Sequence, residues 1–250
     1  MISPLSLDGP QTRLRQFSDQ HIAALAVMVV SSGLCVWAAR RHPGRWLVRF
    51  SRGLALLILA AWIGEYVGDL VLGTWTVQYS LPLQLTDAVS AVSALALWTR
   101  RALLVELTYL WAFTASLQAV LTPDLGQAFP SFFYFTYFTY HVGAIVAASF
   151  LVFGCRLYPR PGAVWRVYAV TLAFAAVSGA GDVLTGGNYM YLRDKPAHSS
   201  LLSLLGPWPW YILAGAAVGL AMLLAVALLT RAVRVLADPV AIDRAFAPQG

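Results

Sequence analysis

A single histidine well inside an apolar run, His141, and carboxylates inside or at the ends of other apolar runs, Glu65, Asp69, Asp87 and Asp182, are the residues of this chain with most chemistry to offer. Ionisable groups in hydrocarbon are expensive and mark functional sites by default. One imidazole with several carboxylates suits general acid/base catalysis, proton relay or a hard divalent cation. No second His stands at helical spacing from His141, which argues against zinc. The last apolar run contains no Lys, which argues against a retinal Schiff base. No metal site and no cofactor is expected.

The elements that must hold these groups follow from composition. Of 250 residues, 59% are hydrophobic and 11% are charged, and the mean hydropathy is +0.69. A soluble domain is apolar over nearer half of its residues, so this is an integral membrane protein. Apolar runs fall roughly at 20–39, 53–73, 81–99, 102–121, 131–154, 164–185 and 210–233. Each is close to the roughly 20 residues that a spanning helix needs. Unpaired backbone groups are not tolerated in lipid, and the alternating pattern of a barrel is absent, so the runs are predicted helices. The expectation is an all-α polytopic protein with seven transmembrane helices. A polar segment covers 1–19, the helical domain 20–236 and a tail 237–250.

The net charge of +6 does not indicate nucleic acid, because the basic residues form short clusters between apolar runs. Arginines crowd the links after the first, third and fifth runs and follow the seventh, whereas the links after the second and fourth carry none. Positive-inside bias therefore predicts an outer N-terminus and a cytoplasmic C-terminus. The first run ends in Arg40-Arg41 without a small-residue cleavage site, as an anchor does. Cys35 and Cys155 lie at the ends of runs without a nearby second ligand and read as packing residues.

On this topology Glu65 lies slightly past the middle of helix 2, with Asp69 one turn further outward. Gln84, Thr86 and Asp87 enter helix 3 from outside; Gln118 and Thr122 end helix 4 there, as Asp182 ends helix 6. Lipid-facing placement is costly for each, so a shared outward polar pocket is expected. Gln84, Gln118, Thr122 and Thr136 also suit interhelical hydrogen bonding, and Asp124 beside Pro123 suits a turn. Glu106 lies near the cytoplasmic end and is expected to pair with an inner Arg such as Arg101; His21, at the outer start of helix 1, is expected to be structural. The link Gly186–Pro209 is rich in Trp and Tyr and reads as an interfacial lid, with Pro209 in the first turn of helix 7. Gly215 and Gly219 make a Gly-x-x-x-Gly, read as close helix packing.

Several stretches resemble the YwaF-like family of bacterial integral membrane proteins, to which a eukaryotic transmembrane acyltransferase of ether phospholipids is related. They are Phe17-Ser18-Asp19-Gln20-His21, Leu81-Pro82-Leu83, Glu106, Tyr109, Gln118-Ala119, Thr122-Pro123-Asp124, Pro130, His141, Asn188-Tyr189-Met190-Tyr191-Leu192, Pro196 and Gly206-Pro207-Trp208-Pro209-Trp210-Tyr211. Family members often read Leu-Pro-Leu-His-Leu-Cys where this chain has Leu-Pro-Leu-Gln-Leu-Thr, so Gln84 and Thr86 replace a His and a Cys. The resemblance implies a lipid or lipid-linked substrate and phospholipid acyl transfer. His141 is then the base, Thr86 stands where a nucleophile would, Gln84 and Gln118 are oxyanion donors, and Asp87 or Glu65 orients His141. Asn188 joins Glu65, Asp69, Gln84, Gln118 and Asp182 as a pocket residue. A cation- or proton-coupled transporter using the carboxylates is the alternative, and a structural membrane subunit the third. Membrane lipids are the expected partners, in a cell-membrane setting that also suits a homo-oligomer or a membrane-protein partner.

The predicted orientation is checked by cysteine labelling from outside. Ser200→Cys should react and Gly162→Cys should not; the reverse pattern would overturn the orientation.

Overall fold

The computed structural model describes residues 14–196 and 201–237. The labelling site Ser200, most of the expected N-terminal segment and nearly all of the expected tail lie outside them. Seven helices organise the described residues: α1 Asp19–Arg41, α2 Trp46–Leu72, α3 Leu85–Thr99, α4 Ala102–Leu121, α5 Phe132–Gly154, α6 Ala163–Thr185 and α7 Trp210–Ala237. Six are long and apolar enough to cross a membrane, and α3 has 15 residues. No strand occurs among the described residues.

Helix α3 is short for a local reason. The expected run starts at Leu81, but Leu81–Gln84 is not helical, and Gln84 at the N-cap is extended with φ −78° and ψ 146°. Pro82 has no amide hydrogen and holds the residue before it out of the helical region. Helix α2 instead starts seven residues before its apolar run, taking in Arg49 and Arg52. An amphipathic first turn at the interface accommodates them, because long Arg side chains reach water from there.

Helix α5 is the core of the bundle. It packs against α1, α2, α3 and α4 and is almost wholly buried. Small residues let it approach its neighbours, as hydrocarbon supplies no hydrophobic drive between helices. A Cβ on Gly68 would lie 2.9 Å from the Phe133 ring, and one on Gly143 would lie 2.8 Å from Ile58. Helices α6 and α7 pair with one another and lie against α4, with α6 also touching α3.

At the arginine-rich end, Glu106 on α4 is buried and receives Arg160 Nε at 2.8 Å and Arg166 Nη2 at 2.9 Å. The backbone amide of Arg160 also donates to Glu106 Oε1 at 3.1 Å. Glu106 thus ties the α5–α6 link to α4. Its partners are Arg160 and Arg166 rather than Arg101, which stands at the N-cap of α4 only five residues earlier and is exposed. At the opposite end, His21 accepts the Phe17 amide on Nδ1 at 2.8 Å and pairs through Nε2 with the Val120 carbonyl at 2.7 Å. Both ring nitrogens are in use within the fold, an architectural role.

These contacts separate two arginines. Glu106→Ala should lower unfolding stability in detergent by about 1.5–3 kcal/mol, the range for hydrogen bonds to charged groups. Arg101→Ala should change it by less than about 0.5 kcal/mol. Equal losses from the two would place the ion pair on Arg101.

Candidate functional site

The polar residues singled out above occupy several helix interfaces. Asp87, in the first turn of α3, is buried against α2: Trp62 Nε1 donates to Oδ1 at 2.9 Å and the Tyr66 hydroxyl donates to the same oxygen at 2.8 Å. The backbone amide of Gln84 donates to Oδ2 at 2.9 Å. Both carboxylate oxygens are therefore engaged in holding the start of α3 against α2. Trp62 and Tyr66 were not singled out in the sequence, although their spacing of four puts them on one helical face.

Glu65, one residue before Tyr66, accepts the Thr136 hydroxyl of α5 at 3.2 Å. His141, one turn or so further along α5, is buried with its ring centroid 4.4 Å from Tyr137 and 4.3 Å from Tyr140. Its Nδ1 has no hydrogen-bond partner among the described residues. Neither Asp87 nor Glu65 orients His141 through that nitrogen, and Thr86 is not bonded to it. Thr86 is half-buried, and its carbonyl accepts the Ser90 hydroxyl at 3.0 Å.

A second group of expected residues does converge, where the non-helical strap Leu81–Gln84 meets α6 and the link after it. The Ser178 hydroxyl donates to the Leu83 carbonyl at 2.9 Å, and the Leu81 amide donates to the Tyr189 hydroxyl at 2.9 Å. That same hydroxyl donates to the Val77 carbonyl at 2.8 Å. Gln84 Oε1 accepts the Met190 amide at 2.9 Å, and Asp182 Oδ1 accepts the Tyr189 amide at 2.5 Å. Asp182 Oδ2 is buried without a partner among the described residues. Burial pushes the Tyr189 phenol above its ordinary pKa, and burial followed by the Asp124 carboxylate does the same for Tyr191, so both remain protonated donors.

The remaining residues act locally. Asp69 Oδ1 accepts the Thr74 hydroxyl at 2.9 Å in the turn that ends α2. Asn188 Oδ1 accepts the amides of Arg193 at 3.0 Å and Asp194 at 3.1 Å, which closes the link on itself. Gln118 is exposed, and its amide lies 3.7 Å from Met222 Sδ on α7.

Two apolar cavities flank these interfaces. One, of about 300 Å³, lies between α4, α6 and α7 and is lined by Leu85, Trp111, Thr114, Met190, Tyr191, Leu192, Tyr211, Gly215 and Gly219 among others. The two glycines that read as a packing motif face this space. Its α4 wall includes part of a π-helical segment, Ala112–Ser116; such segments recur at functional sites and leave no plain signal in sequence. Its roof is fixed by the Tyr211 hydroxyl donating to the Tyr191 carbonyl at 2.6 Å and Trp208 Nε1 donating to the Leu192 carbonyl at 3.3 Å. Lys195 Nζ lies 5.3 Å above the Tyr211 ring. The second cavity, of about 680 Å³, lies between α1, α2 and α5. Neither cavity is lined by Glu65, Asp87 or His141.

Six long apolar helices, one of them almost wholly buried among its neighbours, and a short seventh whose non-helical lead-in is bonded by α6 and the link after it define a multi-pass integral membrane protein. The family model described as the TMEM164 family matches residues 16–228, and the chain belongs to that family. No curated protein and no solved structure matches it.

The two kinds of polar residue respond differently to truncation. Asp87→Ala leaves the Trp62 indole, the Tyr66 hydroxyl and the Gln84 amide without their acceptor, on the order of 1–3 kcal/mol for each buried group. Gln118→Ala should shift stability by less than about 0.5 kcal/mol. Thermal unfolding in detergent compares them, and equally small losses would remove Asp87 from its anchoring role.

Proposed function

We propose that this is a lipid-handling protein of the cell membrane, related to the YwaF-like proteins, whose substrate lays an acyl chain in the cavity between α4, α6 and α7. The observation that supports this reading is a convergence of sequence stretches. Leu85 lies two residues after the Leu81-Pro82-Leu83 stretch, Met190 to Leu192 end the Asn-Tyr-Met-Tyr-Leu stretch and Tyr211 ends the Gly-Pro-Trp-Pro-Trp-Tyr stretch; all of them line this one cavity. An apolar space of this size with a few polar groups at its mouth is the usual form of a small-molecule site.

Charge at the mouth fits a phosphate-bearing head. The outer half of the bundle carries more carboxylates than cations, which by itself disfavours an anion. Lys195 over Tyr211 offsets that excess at the roof, and Arg193, whose Nη1 donates to the Gly187 carbonyl at 3.3 Å, adds a second cation there.

Phospholipid acyl transfer is the reaction class we assign to this protein, with His141 as the general base. Because His141 is buried in α5 and does not line this cavity, the reacting ester must reach α5 while its acyl chain stays in the cavity. Asp87 then acts by holding α3 in place and not by orienting His141, since its oxygens serve Trp62, Tyr66 and Gln84. Thr86 would need to approach His141 on substrate binding before it could serve as nucleophile.

The test gives purified protein phospholipid acyl donors and lysolipid acceptors and follows the products by mass spectrometry. His141→Gln should lower turnover by about 10²- to 10⁴-fold with the fold intact, the usual contribution of a general base. Gly215→Leu, which fills the cavity from α7, should abolish turnover without a comparable loss of stability. No turnover by the wild-type protein across a broad lipid panel, together with pH-dependent cation flux in liposomes that His141→Gln eliminates, would replace this reading with the transporter.

A further inference from the structure

The larger cavity is remote from the site just proposed and has a different character. Helices α1 and α2 are consecutive in sequence yet leave between them a groove of about 680 Å³ whose floor is α5. Its walls include Val27 and Cys35 on α1, Phe50 and Leu57 on α2, and Phe135 and Val142 on α5. From Gln20 to Cys35 the α1 wall runs for about 22 Å at 1.5 Å per residue. That exceeds one leaflet of a hydrocarbon core about 30 Å thick. At this depth the surrounding solvent is hydrocarbon, and a void of this size is strongly unfavourable. An acyl chain is the occupant that the surroundings supply.

The two ends of the groove differ in charge. Asp19 stands next to Gln20 at one end, with Arg15 four residues before it, so that end carries no excess of positive charge. At the other end the α2 wall continues from Phe50 to Trp46, whose rings are 5.9 Å apart, and Trp46 Nε1 reaches the His42 carbonyl at 2.5 Å. The groove therefore leads to the link between α1 and α2, which is flanked by Arg41 and Arg45. Both are exposed and have no acidic partner among the described residues, in contrast to Arg40, which is held by the Phe153 carbonyl at 2.7 Å. The start of α2 adds to the positive field: no side chain caps it and no acid lies in its first turn.

We propose that this groove is a binding site for an anionic phospholipid of the arginine-side leaflet, with one acyl chain between α1 and α2 on α5 and the phosphate at Arg41 and Arg45. The site is independent of the substrate cavity between α4, α6 and α7. It makes the stability of the α1–α2–α5 contact depend on the acidic lipid content of the membrane.

The test uses the full chain purified in a non-ionic detergent and titrated with phosphatidylglycerol and, separately, phosphatidylcholine, with bound lipid read by native mass spectrometry. The wild-type protein should hold phosphatidylglycerol in preference. Arg41→Gln and Arg45→Gln should each weaken phosphatidylglycerol binding roughly fivefold, as expected from about 1 kcal/mol per basic residue at an anionic surface, and leave phosphatidylcholine unchanged. Val27→Trp and Leu57→Trp fill the groove from two exposed positions and should displace both lipids, whereas Gly215→Leu should displace neither from this site. Phosphatidylglycerol retained undiminished in both tryptophan variants would overturn the groove as its site. Equal wild-type affinity for the two lipids, or unchanged affinity in both arginine variants, would overturn the phosphate contact.

Discussion

Backbone amides and carbonyls in hydrocarbon must find partners within the protein, and that constraint sets the architecture around Leu81–Gln84. Where Pro82 interrupts the helical pattern, the strap before α3 needs outside donors and acceptors. Ser178 on α6, Tyr189 in the following link and Asp87 in the first turn of α3 supply them. The Asn-Tyr-Met-Tyr-Leu stretch is thereby fixed in place, because Tyr189 must reach both Leu81 and Val77. With it comes the roof of the smaller cavity, since Met190, Tyr191 and Leu192 follow directly.

The same constraint distinguishes the two ends of the bundle. At one end, links are closed by hydrogen bonds among backbone, His21, Asn188 and aromatic hydroxyls. At the other, a single buried carboxylate, Glu106, gathers Arg160 and Arg166, and many of the remaining arginines face outward with no acid beside them. Rim ion pairs of this kind contribute little when both members are exposed, but here the carboxylate is buried and accepts several donors at once. The leftover positive charge is available to the membrane surface.

Between the two ends lies α5, whose buried Phe and Tyr residues need partners with little side-chain volume. Gly64 and Gly68 of α2 provide them in the half away from the arginine-rich links. His141 is enclosed by this aromatic packing, with one ring nitrogen unpaired. An unpaired buried nitrogen is unfavourable unless a ligand, a proton or a motion uses it, and this keeps His141 central to the reading of function. The two cavities lie on either side of that core, one against α4 and the other against α1 and α2.

Composition and hydrophobic period alone determined that the chain is an integral membrane protein, where most of its helices lie, and that the arginine-rich links share one end. They also marked Glu106 and His21 as structural, because each stands at a helix end, where a partner is within reach. The choice of partners came only with the tertiary structure. Glu106 takes Arg160 and Arg166 across 54 and 60 residues of chain, and Leu81 takes Tyr189 across 108. Helical periodicity says which residues share a face but not which helix that face meets. For this reason the polar residues that looked like one pocket occupy several interfaces, with Asp87 against Trp62 and Tyr66, Glu65 against Thr136, and Gln118 beside Met222. The cavities were equally invisible, since a space between helices depends on which helices fail to touch, and no single segment of sequence encodes that.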